Sequence, residues 1–118
     1  MDVYALARGG GCTPLDDYRG TGYSASGDDY LFPETYVEGP NNTLVPDIVP
    51  DDTDFITFTV TAGTGYVRWN GGTASDTRGH SYPVGTWTIA ANAKTLRSAT
   101  VYDSAGSFAF FATFWKVA

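Results

Sequence analysis

The sequence predicts an all-β fold, a small antiparallel β-sandwich or barrel over about residues 55–118, preceded by a long extended N-terminal arm over residues 1–54. Aromatic residues make up 15% of the 118 residues and glycine occurs 14 times, whereas methionine occurs once. Threonine, valine and aromatic residues suit pleated, half-buried strands, whereas long helices draw on Ala, Leu, Glu, Lys and Met. The pattern also changes near residue 55, where short alternating runs replace a stretch without periodicity.

Five short strands separated by turns account for the second half of the chain. In the first, Ile56, Phe58 and Val60 alternate with threonines, which is the period-2 pattern of a half-buried strand. Asn70 and Gly71 follow the second strand and form a strong hairpin signal, because both residues tolerate positive φ. The predicted strands span residues 55–61, 66–69, 86–90, 96–102 and 108–117, with a loop over 72–85. Short strands at this spacing indicate an antiparallel sandwich or barrel.

The last predicted strand is apolar on both faces. Phe108, Phe110 and Phe114 share one face, whereas Phe111 and Trp115 lie on the other. Either the strand is central and covered on both sides by its own subunit, or another subunit covers one face. A domain of about 60 residues buries only about 60% of its unfolded surface, so we favour the second alternative. These aromatic residues are therefore predicted to build the core and a homo-oligomer interface.

Residues 1–54 form a segment of different character, with little regular structure expected. They contain eleven acidic and two basic residues, a net charge of −9, whereas residues 55–118 have a net charge of +3. Five prolines are spread along the segment, and proline disfavours continuous helix and central strands. Apolar side chains are nevertheless spaced along it, which is unusual for a disordered segment.

We predict that these side chains anchor an extended arm on neighbouring proteins. The predicted anchors are Tyr4, Leu6, Tyr18, Tyr23, Tyr30, Phe32 and Tyr36. Removal of residues 1–50 should then leave a folded β module that no longer binds its scaffold.

The overall charge and the apolar pattern exclude several classes of protein. A net charge of −6 argues against direct binding to nucleic acid, which requires clustered Lys and Arg. No stretch approaches the roughly 20 apolar residues of a membrane span. The opening MDVYALARGGG lacks the basic and apolar regions of a secretory signal, so none is expected. Cys12 is the single cysteine and cannot form an intrachain disulfide.

The residue pattern gives no positive sign of catalysis, a metal or a cofactor. His80 is the single histidine and lies in the predicted loop, where a hydrogen-bonding role is commoner than catalysis. No Cys/His spacing typical of zinc is present, and the acidic residues 51–54 lack the glycine and glutamate of an EF-hand loop. We therefore expect no enzyme activity, no metal site and no cofactor.

A carbohydrate- or receptor-binding β module is the alternative function. Flat aromatic rings stack on sugar faces, and Trp69, Tyr82 and Trp87 lie near the predicted loop together with His80. Trp69, Trp87 and Trp115 all lie in predicted strands, which favours packing in the core or an interface over ligand binding.

Residues 66–89, YVRWNGGTASDTRGHSYPVGTWTI, resemble a pattern found in small virion proteins of tailed bacteriophages. In that pattern a strand ends in Asp/Asn-Gly-Thr, a Thr/Ser-rich loop leads to Gly-His, and Pro-x-Gly precedes the next strand. Residues 99–102 and the final aromatic strand are also similar. The resemblance implies a capsid decoration or cement protein, made in the host cytoplasm and placed on the outer capsid surface of the virion. It further implies a trimer that clamps the major capsid protein or another virion protein, with tail and neck components as further possibilities.

Overall fold

The structure is a computed structural model that describes residues 11–118, and Tyr4 and Leu6 lie outside these residues. The described residues form ten strands and one short helix, so the predicted all-β class is confirmed. The elements are β1 (Cys12–Gly20), β2 (Asp29–Tyr30), β3 (Thr35–Glu38), β4 (Thr43–Pro46), β5 (Phe55–Ala62), β6 (Gly65–Arg68), β7 (His80–Tyr82), β8 (Gly85–Ala90), α1 (Ala93–Ser98), β9 (Thr100–Tyr102) and β10 (Ala109–Val117).

Two four-stranded antiparallel sheets and one hairpin make up the architecture. Sheet A has the strand order β1-β10-β5-β8, and sheet B has the order β2-β9-β6-β7. β3 and β4 pair only with each other among the described residues. Their turn uses positive φ at Gly39 (73°) and Asn42 (54°), which are residue types that tolerate the left-handed region.

A single aromatic-rich core lies between the two sheets. The alternation predicted for β5 is confirmed, because Ile56, Phe58 and Val60 are all buried on one face. Sheet B contributes Val67 and Val101 to the same cluster. Burying one face of each sheet in a shared core is the arrangement of a β-sandwich.

The predicted boundary at residue 54 is wrong for the described part of the N-terminal half. β1 pairs along its length with β10, and β2 pairs with β9, so residues 11–54 contribute strands to both sheets. The prolines are compatible with this because Pro14 lies on an edge strand, where the register shifts between Pro14 and Asp16. Residues 55–118 alone have too few strands to form both four-stranded sheets. The N-terminal half supplies the missing ones.

The predicted strand over residues 96–102 is also wrong in its first part. The chain forms α1 there, and only Thr100–Tyr102 is a strand. Asn92 caps the helix, since its side-chain oxygen accepts a hydrogen bond from the Thr95 backbone N–H at 3.0 Å. Leu96 is buried, so tertiary packing stabilises a helix that is too short to be stable alone. The predicted loop over 72–85 likewise contains a short strand, β7.

Asp103 fixes the predicted turn between β9 and β10. It is 1% exposed, and its carboxylate accepts hydrogen bonds from the backbone N–H groups of Gly106 (3.0 Å) and Phe108 (2.8 Å).

Asp103→Ala is expected to lower the free energy of unfolding by about 1–3 kcal/mol, because the buried Phe108 donor loses its partner. Urea unfolding measures the loss. Asp76→Ala, at an exposed loop position, is the control and should change stability by less than about 0.5 kcal/mol. Equal midpoints for the two variants would contradict the assigned role.

Candidate protein-interaction site

Two of the predicted arm anchors belong to the core of this subunit. Tyr23 is 5% exposed and Phe32 is fully buried. The Tyr23 hydroxyl donates a hydrogen bond to the Leu31 carbonyl oxygen, and burial raises the pKa of Tyr23. The docking role predicted for Tyr23 and Phe32 is therefore wrong, because neither side chain can reach a partner while the sandwich is folded. Sequence spacing placed apolar groups correctly along the chain, but it could not tell a docking anchor from a core residue.

The other described anchors, Tyr18, Tyr30 and Tyr36, are half-buried on the surface. The Tyr18 ring makes an edge contact with Phe32 at a centroid distance of 5.9 Å. Burial, together with the negative charge of Glu34, raises the pKa of the Tyr18 hydroxyl. These three tyrosines remain predicted contact residues, since part of each side chain stays accessible.

The aromatic residues of the last strand divide between the two faces, as the alternation predicts. Phe108, Phe110 and Phe114 are buried in the core. Phe111 and Trp115 point away from it and are half-buried. β10 is a central strand of sheet A, yet nothing in the described chain covers its outer face completely. An interface role for Phe111 and Trp115 stays a prediction.

The outer face of sheet A combines aromatic rings with a regular set of threonines. Trp115 stacks on Phe55 with a centroid distance of 6.0 Å and an interplanar angle of 3°. Its indole Nε1 donates to Thr57 Oγ1 at 3.0 Å, which links the ring to β5. The Arg19 guanidinium lies 5.4 Å from the centre of the Phe111 ring. The threonines of this face that take part in strand pairing are Thr57 and Thr59 on β5, Thr86 and Thr88 on β8, and Thr113 on β10.

The β3–β4 hairpin presents the clearest apolar patch that the described residues expose. Val37 and Leu44 lie directly opposite each other in the ladder and are 57% and 59% exposed. The base of the hairpin is closed by a hydrogen bond from the Asp47 N–H to the Glu34 carbonyl oxygen at 2.9 Å. Sequence reasoning missed this hairpin. The available signal was a pair of short alternating runs, TYVE and TLVP, on either side of Gly-Pro-Asn-Asn.

A groove separates the hairpin from helix α1. Its lining residues include Tyr30, Leu44, Val45 and Lys94. Arg97 of α1 contacts the segment that follows the hairpin, because its guanidinium donates to the Val49 carbonyl oxygen at 2.7 Å and forms an ion pair with Asp51. The hairpin is thus connected to the sandwich at its base, while the tip and the Val37–Leu44 pair stay accessible.

The aromatic residues of the alternative function pack mainly on one another. Trp69 donates through Nε1 to the Tyr82 hydroxyl at 3.2 Å, and the two rings meet nearly at right angles. Tyr82 makes a similar edge contact with Trp87 at 5.1 Å, and burial raises the pKa of its hydroxyl. His80 is exposed and lies in a shallow groove with Trp69.

Among residues 11–118, no group of three or more His, Cys, Asp or Glu side chains is placed to hold a metal ion. In the same residues no helix is long and apolar enough to cross a membrane. Comparison of the chain with protein-family models, with curated proteins and with solved structures finds no match.

Proposed function

We propose that the protein is a virion structural protein, a capsid decoration or cement protein that binds across neighbouring capsid subunits on the outer surface of the shell. It acts by binding, without catalysis, metal or cofactor. The partner is the major capsid protein or another virion protein, and self-association of the β-sandwich is part of the proposal. The observation that carries it is the exposed Val37–Leu44 pair on a hairpin fixed to a compact sandwich.

The hairpin has the properties of a docking element. Exposing two adjacent aliphatic side chains to water is unfavourable. Burying a Val or Leu side chain against a partner contributes about 1.5–3 kcal/mol to the free energy of binding. The hairpin is held in shape before binding, because the Asp47 N–H donates to the Glu34 carbonyl oxygen at its base. The segment just after it is held to α1 by the bond from Arg97 to the Val49 carbonyl oxygen. A preorganised element loses little conformational entropy on binding. The half-buried Tyr36 lies on the opposite face of the same hairpin, where it offers a second, aromatic contact.

The charge distribution of the chain predicts the charge of the partner surface. Residues 11–54 carry ten of the thirteen acidic residues of the chain, and the hairpin itself includes Glu38. Complementary charge guides docking and suppresses wrong partners. The partner surface is therefore expected to present an apolar groove with basic side chains around it.

The test uses purified particles of the virus that encodes the chain, assembled without this protein. The wild-type protein should co-sediment with these particles at a fixed stoichiometry. Val37→Ser combined with Leu44→Ser should weaken this binding at least about tenfold, because two apolar contacts are lost. Val117→Ser is the matched control, since Val117 is 38% exposed at the end of β10, outside the hairpin.

Two results would contradict the proposal. Wild-type protein that stays in the supernatant at every concentration would exclude a place on the shell. Equal binding by the hairpin variant and by Val117→Ser would remove the hairpin as the docking element. Circular dichroism of both variants establishes that each has folded before binding is compared.

The second candidate, a carbohydrate- or receptor-binding module, is favoured by one observation. The groove beside His80 is also lined by Trp69, Arg68 and Arg78, which are side chains that contact sugars and acidic groups. Quenching of tryptophan fluorescence by a defined glycan, abolished by His80→Ala, would favour this function over the first.

A further inference from the structure

The two edges of sheet A differ in their chemistry. β1 has the features that protect an edge strand, namely Pro14, a register shift after it, and the charged residues Asp16, Asp17 and Arg19. β8, at the other edge, has none of these features. Its sequence GTWTIA contains no charged residue and no proline, and its six residues pair with β5 without a register shift.

The free side of β8 has backbone groups available for another strand. Within residues 11–118, β8 pairs with β5 alone, so its other side faces no strand. An uncharged, regular edge of this kind is a template for pairing with a further strand. The edges of sheet B are different, because β2 has two residues and β7 has three, which is too short for extensive pairing.

We propose that the occupant of this edge is β8 of a second copy of the chain, paired antiparallel across a two-fold axis. Sheet A would then continue through both subunits as one sheet of eight strands. This inference rests on the self-association included in the proposed function. It specifies a two-fold dimer, whereas the resemblance described above implies a trimer.

The alternation of side chains restricts the register of this pairing. Opposite residues in an antiparallel ladder lie on the same face, so a continuous sheet requires the two-fold axis to pass at a residue. With the axis at Trp87, Thr86 lies opposite Thr88 of the second copy, and Thr88 lies opposite Thr86. The same register places Ile89 opposite Gly85, a large residue against a small one on the core side.

This register repeats a pairing that sheet A already contains. Thr86 lies opposite Thr59 within the subunit, and their hydroxyl oxygens are 3.2 Å apart. Threonine pairs across strands are favourable. The next residues on the same face are both apolar. Val84 is 66% exposed and comes opposite the exposed Ala90 of the second copy, so pairing would bring these two side chains together.

Charge favours a second copy at this edge over one at β1. Each chain has a net charge of −6, so two copies repel each other, and an interface without like charges in close contact adds least to that repulsion. β8 brings no charge to the two-fold axis, whereas self-pairing of β1 would bring Asp16 and Asp17 of both copies together. Like charges directly opposite each other destabilise a strand pair.

The test is the solution mass of the full chain, measured by light scattering behind a sizing column across a range of concentrations. The wild-type protein should have twice the monomer mass. Thr86→Lys combined with Thr88→Lys places like charges opposite each other at both threonine pairs, and should raise the dimer Kd at least about tenfold. Thr86→Lys combined with Thr88→Asp places opposite charges there instead, and should keep the dimer.

The two double variants change the same positions, so they control for each other. Thr61→Lys, at an exposed position of β5, is a further control and should leave the dimer intact. A monomeric wild type, or a mass of three chains, overturns the inference. A dimer in both double variants places the interface elsewhere, and loss of the dimer in both overturns the register.

Particle binding of each variant separates this inference from the proposed function. If the dimer depends on charge as expected but the proteins do not bind particles, the dimer is supported and the capsid role is not. If the wild-type protein is monomeric but still co-sediments with particles, the capsid role is supported and the dimer is overturned.

Discussion

A chain that begins at Asp51 is expected not to fold. This is the opposite of the sequence-based expectation that residues 1–50 form a removable arm. β1 covers one side of β10 along its length, and its loss would turn the most apolar strand of the sandwich into an open edge. The core would also lose four buried side chains, Tyr23, Leu31, Phe32 and Val49.

The size of this effect follows from the burial of those side chains. Each contributes about 1.5–3 kcal/mol through burial of apolar surface, and the total stability of a domain is about 5–15 kcal/mol. The loss is therefore comparable to the whole stability. All three tryptophans remain in the shortened chain, so their fluorescence reports directly on folding.

Urea titration of the shortened chain, followed by tryptophan fluorescence and circular dichroism, checks this prediction. The expected result is the absence of a cooperative transition. A synthetic peptide of residues 11–50 supplies the missing strands and is expected to restore the transition when added. A cooperative transition in the shortened chain alone would contradict the prediction and show that residues 11–50 are a separable arm.

Phe110→Ala is expected to lower the free energy of unfolding by about 3–5 kcal/mol, the usual range for a buried phenylalanine. Phe110 is 1% exposed and lies at the centre of the aromatic core. Among residues 11–118, five rings lie around it at centroid distances of 4.9–6.0 Å, those of Tyr18, Tyr23, Phe32, Phe58 and Phe108. Truncation removes these contacts and leaves a cavity that the sandwich fills only in part.

Phe111→Ala is the matched control for this prediction. Phe111 is the next residue of the same strand, but it lies on the outer face of sheet A and is half-buried. Its truncation should cost less than half of the value for Phe110→Ala, because water already reaches part of the ring. Urea unfolding of both variants gives the comparison. Equal losses would mean that the outer face is packed as tightly as the core.

The same pair of variants also addresses the interface role predicted for Phe111. If a partner covers the outer face of sheet A, Phe111→Ala should weaken particle binding in a protein that remains folded. Phe110→Ala instead acts through stability, and its effect on binding should disappear under conditions that keep it folded. The two substitutions therefore distinguish a contact residue from a core residue.

Much of the fold was predictable where the pattern is local. β5 and β10 have the expected positions, and the alternation of Ile56, Phe58 and Val60 with threonines corresponds to the observed burial. Such alternation needs only neighbouring residues, because successive side chains of a strand point to opposite faces. The turn at Asp103 was predictable for the same reason, since its residue types favour a turn in any context.

The structure of residues 11–54 was not predictable in this way. Its strands pair with β9, β10 and each other, and the partners of β1 lie almost 100 residues away in sequence. Composition gives no information on such pairing, so prolines and acidic residues suggested an arm without regular structure. α1 was missed for a related reason, because a six-residue helix depends on the burial of Leu96 and on its Asn92 cap.

The candidate site was predicted only in part. Tyr18, Tyr30 and Tyr36 were identified and stay on the surface, whereas Val37 and Leu44 on the hairpin were not identified. A single exposed aliphatic residue is ordinary in a sequence. The patch exists because antiparallel pairing brings these two residues side by side.

The sequence by itself determined the all-β class, the alternation of β5 and β10, and the opposite net charges of the two halves. Only the tertiary structure decided which face of β10 became core, so that Phe110 is buried while its neighbour Phe111 is half-exposed. It also decided that Tyr23 and Phe32 stabilise the sandwich, and that within residues 11–118 β8 pairs with β5 alone. Period and propensity are properties of neighbouring residues, whereas burial depends on which distant strands pack against them.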